Sequence, residues 1–308
     1  PEDHGHDLLT GRERDTFEVC LPSYLQRQRW FAGRGEIKSV HIREYLQVPV
    51  GAESIFVTVL LVEFAQSDPE EYLMTITFAQ DAEAERIRRE MPQFVLSRVR
   101  FERSGVEGIL YDAAADRQVS QYLLRMMSEA QTIRTARGKL IASGTPALKN
   151  FALNQPRPEP SAIKTEQRNT VVTYGDRYFL KLFRRIEGGV NPGLESALFL
   201  AEKQFPHVPA HAGALELQKA NGEQVCFGLL SAFVPHAQNG WVFTLDALHR
   251  YFDRVRTMPD AGREDGSSQM SLVDLSAQEV PPSALQILGT YYEHARLLGQ
   301  RTGELHRV

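Results

Sequence analysis

A lysine in the middle of an apolar run is the first residue here that invites chemistry. It is Lys181, in Phe179-Leu180-Lys181-Leu182-Phe183. Residues 170–174 and 178–183 are rich in β-branched and aromatic types, and Gly175-Asp176-Arg177 between them has turn chemistry, so the pattern predicts a β-hairpin. An ammonium buried without a partner is costly. Either Lys181 lies on the wet face of an alternating strand, or it binds phosphate and is held by a carboxylate. The candidate carboxylate is Glu195, just inside a helix start marked by Asn191 as N-cap and Pro192 in the first turn. Ahead of the hairpin, Gln167-Arg168-Asn169-Thr170 is a polar turn whose amides and side chains could cover a phosphate. A covering turn, a strand lysine and a helix glutamate are the parts that hold a nucleotide's phosphates for transfer.

These residues carry a resemblance. Thr165-Glu-Gln-Arg-Asn-Thr-Val-Val-Thr-Tyr-Gly-Asp-Arg-Tyr-Phe-Leu-Lys-Leu-Phe-Arg-Arg185, followed by Val190-Asn-Pro-Gly-Leu-Glu195, is similar to the nucleotide-binding segment of bacterial maltokinases. Those enzymes belong to the aminoglycoside-phosphotransferase-like branch of the protein-kinase fold. Upstream, Leu21-Pro-Ser-Tyr-Leu-Gln-Arg-Gln-Arg-Trp30-Phe-Ala-Gly-Arg-Gly35 resembles the entry to the maltokinase N-terminal cap domain. The two segments stand in the family's order, and the resemblance spans residues 17–308. It implies an α+β chain: a kinase-like N-lobe with an extra β-rich cap, plus the first helices of the C-lobe. It implies ATP-dependent phosphorylation of maltose at the anomeric hydroxyl to give maltose 1-phosphate, with ATP and Mg2+ as cofactors. That product feeds α-glucan (glycogen) synthesis, and trehalose synthase, as a source of maltose, is implied as a fused or associated partner. By the same resemblance Lys181 contacts the α- and β-phosphates, Glu195 holds it, and Gln167, Arg168, Asn169 and Thr170 cap the triphosphate. Ser231, Ala232, Phe233 and Val234 form the hinge whose backbone groups read adenine, with His236 at the rim.

The departures are specific. Arg168 stands where the family's covering loop is serine-rich. The family's catalytic loop, His-Gly-Asp followed by a histidine, and its metal-binding Asp-Phe-Glu occur nowhere in these 308 residues. Leu298-Gly-Gln-Arg-Thr-Gly-Glu-Leu-His-Arg-Val308 resembles the helix that precedes that loop. The chain thus resembles the N-terminal two-thirds of a maltokinase. Its base and metal ligands are expected after Val308, and the chain alone is expected to be inactive. Glu304 and His306 match an acid/base pair in residue type only. Two alternatives remain: a kinase for another small sugar or aminosugar, and a non-catalytic nucleotide-binding or docking module of a trehalose synthase fusion. An intact His-Gly-Asp and Asp-Phe-Glu downstream of Val308 would favour the enzyme over the module.

The elements that must position these residues follow from patterning. With 308 residues, 42% hydrophobic and 24% charged, the chain can bury a sizeable core over two or three subdomains. A net charge of −4 without long single-sign blocks points to neither a nucleic-acid nor a membrane partner. Cys20 and Cys226 read as core residues of a reducing, cytoplasmic compartment. Residues 1–16 read as a linker, with His4 and His6 too isolated for a metal site. Residues 17–90 read as the cap, 91–234 as the intermediate and nucleotide-binding N-lobe, and 235–308 as the start of a helical C-lobe. Within the cap, a helix is expected from residue 17, an arginine–aromatic corner at Arg27-Gln-Arg29-Trp30-Phe31, and a meander of strands over 37–45, 54–64 and 71–78. Residues 81–105 read as a solvated segment with a strand near 95–101, and 108–112 as a strand. A helix is expected over 118–134 and a strand over 138–142. Residues 149–162, with three prolines, read as an irregular connector. Strands follow over 213–217 and 224–233, then a helix over 243–257, a polar loop over 259–283, and one long helix over 285–305.

Overall fold

The computed structural model describes residues 9, 13–33, 35–50, 53–101, 105–135, 138–154, 159–163, 169–235, 239–257 and 270–308. The chain divides into two compact units. One comprises residues 1–202 and 209–234, the other 203–208 and 235–308. The α+β class expected from the sequence is what the first unit shows.

The first unit opens with α1 (Glu13–Arg27). Three long strands follow: β1 (Ile37–Val50), β2 (Glu53–Phe64) and β3 (Glu70–Ala79). Next come α2 (Asp81–Glu90), β4 (Val95–Arg100) and β5 (Glu107–Asp112). These strands form one antiparallel sheet in the order β1-β2-β3-β5-β4. The sheet therefore continues past residue 90, the cap boundary expected from the sequence. β2 reads Ile-Phe-Val-Thr-Val-Leu-Leu-Val, apolar on both faces, because both faces are covered. Ile55, Val57 and Val59 enter one core, and Phe56, Leu60 and Val62 enter a second core with Leu21, Tyr24 and Leu25 of α1. β1 runs through Pro49, which an end strand tolerates because it has no neighbour on one side.

After α3 (Arg117–Ser128) comes the second sheet. Its strands are β6 (Thr132–Thr135), β7 (Gly138–Gly144), β8 (Pro160–Ile163), β9 (Asn169–Tyr174), β10 (Tyr178–Phe183), β12 (His211–Lys219) and β13 (Gln224–Ala232). They are antiparallel in the order β6-β7-β12-β13-β10-β9-β8. Between β7 and β8 lies α4 (Pro146–Asn154), and between β10 and β12 lies α5 (Pro192–Glu202). A two-residue strand, β11 (Arg185–Ile186), leaves β10 and pairs with β3, so the second sheet's hairpin is hydrogen-bonded to the first sheet.

Several expectations are corrected. The helix expected to residue 134 ends at Ser128. Ala130 takes φ +50, Gln131 N–H donates to Met126 O, and the period-2 run Thr132–Thr135 pairs with β7. The connector expected to be irregular holds α4 and β8. Thr145 Oγ1 accepts from Leu148 N–H at the helix start, and Pro160 opens an edge strand. The solvated segment after residue 80 is α2, which buries Ala84 and Ile87 and ties Arg86 to Glu83, Glu90 and Asp116. Cys20 is half-buried and only Cys226 is a core residue; both are free thiols, and burial pushes the Cys226 thiol up to about 12.

The second unit is helical: α6 (Gly240–Thr257), α7 (Leu272–Ser276), α8 (Pro282–Leu288) and α9 (Thr290–Leu305). The loop expected over 259–283 contains α7, N-capped by Ser271, whose Oγ accepts from Asp274 N–H. The single helix expected over 285–305 is two, because Gly289 adopts φ +58, a left-handed conformation open to glycine. Arg254 Nη1 donates to Ile287 O (2.6 Å), and Phe243 stacks on Tyr291. No residue of α6, α8 or α9 is buried. No helix among the described residues is long and apolar enough to cross a membrane.

Candidate functional site

The hairpin forms where the sequence places it. Gly175 takes φ +57 in the turn, and Arg177 N–H donates to Tyr174 O (3.2 Å). The register pairs Lys181 with Val171 on β9 and with Leu229 on β13. Leu180 and Leu182 join the main core, so strand alternation puts Lys181 on the other face of the sheet, half-buried, together with Val171 and Asn169. Gln167, Arg168 and His236, like His4 and His6, lie outside the described residues.

Thr170 turns the opposite way. It pairs with Leu182 on the core face, is buried, and its Oγ1 accepts from Arg184 Nε (2.8 Å). Of the expected covering residues, Asn169 shares the face of Lys181, whereas the Thr170 side chain anchors β9 from behind.

Glu195 sits in the first turn of α5. Asn191 caps that helix as expected, its Oδ1 accepting from Gly193 and Leu194 N–H (3.0 and 3.1 Å). Glu195 is exposed. Ser231 and Ala232 end β13, half-buried. Ala232 N–H donates to Ala210 O and Phe233 N–H to Arg177 O (2.8 Å each), so both groups are engaged within the sheet. Val234, 48% exposed, is the outermost of the four. No cluster of three or more His, Cys, Asp or Glu side chains among the described residues is placed to hold a metal ion.

The strongest electrostatic feature of the region was not expected from the sequence. Arg184 is 1% exposed and Asp112 is 0% exposed, and Arg184 Nη1 lies 2.7 Å from Asp112 Oδ2. Asp112 also accepts from Thr75 Oγ1 (3.1 Å), Ala114 N–H (3.1 Å) and the Tyr24 hydroxyl (3.4 Å). Burial first, and then the Asp112 charge, raise the Tyr24 phenol well above its usual pKa, which keeps it a donor. The Arg184 guanidinium lies over the Trp30 ring at 4.7 Å. The arginine–aromatic corner exists, but the arginine is Arg184 and not Arg27 or Arg29. A doubled arginine directly after an apolar strand run, with a tryptophan elsewhere in the chain, is the only sequence signal of it. A second link is Lys219, 6% exposed, whose Nζ donates to Glu71 (2.6 Å) and Glu223 (3.2 Å). Burial acts to lower the Lys219 pKa, but these carboxylates outweigh it and raise it.

Solved structures of a glucosamine kinase align with this chain at low similarity. One, in complex with glucosamine, ADP and inorganic phosphate, is 14% identical with a TM-score of 0.42, covering 76% of this chain and 43% of that one. A second, crystal form A, is 15% identical with a TM-score of 0.41, covering 72% and 41%. This chain spans less than half the length of those proteins. The family comparison is local and specific: residues 24–116 match the model of the maltokinase N-terminal cap domain. The matched stretch contains Tyr24, Trp30, Thr75 and Asp112, the groups gathered around Arg184. From the end of α1 to the Asp116 cap of α3, the chain thus matches a maltokinase N-terminal cap domain.

Proposed function

We propose that this chain is the cap and nucleotide-binding portion of an ATP-dependent sugar kinase that phosphorylates maltose to maltose 1-phosphate. The match of residues 24–116 to a maltokinase N-terminal cap domain carries the reading. The geometry supports it: the hairpin that bears Lys181 is hydrogen-bonded to the matched sheet through β11 and β3. In this reading Lys181 contacts the α- and β-phosphates and Asn169, on the same face, helps to cover them, together with Gln167 and Arg168. Thr170 contributes by anchoring the strand. Glu195, in the first turn of α5, holds Lys181 in place for the phosphates. Ser231 to Val234 form the adenine edge, with Val234 the residue of the four best placed to offer backbone groups. Catalysis of this kind is mostly positioning and charge stabilisation. Mg2+ would neutralise the phosphates. The described residues supply no ligand cluster for it, and none of the roles given to them runs through it. The division into cap, N-lobe and start of a helical C-lobe, a cytoplasmic location, and trehalose synthase as the source of maltose on the way to α-glucan belong to the same proposal.

The test is calorimetric titration of Mg·ATP into the 308-residue chain and into Lys181→Met. Losing charge-assisted contacts to phosphate is expected to weaken binding by about tenfold or more. Equal binding by the two proteins overturns the assignment of Lys181. Adding maltose to the chain alone is expected to release no ADP, since the base and metal ligands are not among its recognised motifs.

A further inference from the structure

Arg184 contacts the hairpin and the cap domain at once. Its Nε donates to Thr170 on β9, one residue from Asn169 and Val171 on the face of Lys181. Its Nη1 pairs with Asp112, its plane lies over Trp30, and its carbonyl accepts from Leu73 N–H on β3 (2.7 Å). Trp30, Leu73 and Asp112 all belong to the stretch that matches the cap domain. The planar guanidinium reaches the hydroxyl and the carboxylate through separate nitrogens held in a fixed fork, whereas a lysine would have to serve both from one nitrogen on a flexible stem.

We propose that Arg184 is a positioning residue for nucleotide binding: it fixes Thr170, and thereby the phosphate-facing end of β9, in a place set by Asp112 and Trp30 of the cap. The cap is then part of what determines nucleotide affinity, although none of these residues touches the nucleotide. The proposal rests on the reading of the hairpin as the phosphate site. Lys219 supplies the internal control. It also ties the second sheet to β3 through Glu71, but it does not touch Thr170.

The test compares the wild-type chain with Arg184→Lys, Thr170→Val, their double variant, and Lys219→Met. Amide hydrogen exchange at residues 169–171 is measured without nucleotide, and the Kd for Mg·ATP by titration. Arg184→Lys keeps the charge opposite Asp112 and loses the fork. It is expected to raise exchange at 169–171 and to weaken ATP by about tenfold or more, the scale of a misplaced binding group. Thr170→Val, which removes only the acceptor and is not expected to unfold the chain, should show the same loss. The double variant should lose no more than either single, since both cut one connection. Lys219→Met should leave exchange at 169–171 and the Kd unchanged. Unchanged exchange in Arg184→Lys, or losses from Arg184→Lys and Thr170→Val that multiply, overturns the proposal. If wild type binds ATP, Lys181→Met abolishes binding and Arg184→Lys does not weaken it, the relay fails and the phosphate site stands. If exchange responds as expected but wild type binds no nucleotide, the phosphate-site reading fails and takes the relay's function with it.

Discussion

Replacing Asp112 with alanine is expected to be among the most destabilising single changes in the first unit. The carboxylate is fully buried and accepts from four donors: Arg184 Nη1, Thr75 Oγ1, Ala114 N–H and the Tyr24 hydroxyl. Alanine leaves the guanidinium of a residue that is 1% exposed without its counter-charge. Breaking a buried pair from one side costs about 3–5 kcal/mol, mostly as the penalty of the stranded charge. Against a typical domain stability of about 5–15 kcal/mol this is a large fraction. With an m-value of about 3 kcal/mol/M, the urea midpoint should fall by about 1–1.7 M. The measurement is equilibrium urea unfolding followed by the fluorescence of Trp30, which stacks on Arg184 and reports on this site. The double variant Asp112→Leu with Arg184→Met removes both charges and keeps the volume, so it should be more stable than Asp112→Ala. A cost below about 1 kcal/mol for Asp112→Ala, or a double variant as poor as the sum of the two singles, refutes the reasoning, because either result means that no charge is stranded.

Two further outcomes follow from the ion pairs. Lys219→Met should cost about 1.5–3 kcal/mol, less than Asp112→Ala, because Glu71 retains Arg43 as a partner and Glu223 is more exposed. The Lys219 pKa is raised in the fold, so its contribution is fully present below the usual lysine value and is lost only as pH climbs through the raised one; wild type and Lys219→Met should converge in strongly alkaline urea titrations. At the acid end, burial raises Glu18, but hydrogen bonds from His41, the Ile42 amide and Arg14 outweigh it and leave its pKa below the usual 4.5. Its stabilisation is present above the usual value and is lost as pH falls through the lowered one. Glu18→Gln should therefore be less stable at neutral pH and show a shallower acid limb, and an unchanged limb would count against that network.

Local chemistry was legible because local rules decide it. Turn residues at 175–177 produced the hairpin, Asn191 and Pro192 started α5, and apolar runs, alternating in β1 and β3 and continuous in β2, became the first three strands. The errors have local causes too. Ala130 stops α3 with a positive φ that sequence reasoning reserves for glycine, and Pro160, read as a strand breaker, is harmless at a sheet edge.

The sequence by itself determined which residues are available for phosphate chemistry: Lys181 in its strand, Asn169 and Thr170 before it, and Glu195 on the next helix. Only the tertiary structure decided which face each occupies and what it meets. Register sends Asn169 toward Lys181 and Thr170 away from it. α5 leaves Glu195 exposed, and the sheet takes up the N–H groups of Ala232 and Phe233. Above all, Arg184 and Asp112 look like ordinary surface charges at strand ends. Their charge-pairing and burial arise between segments far apart in the chain, where β11 docks on β3, and no local pattern encodes that meeting.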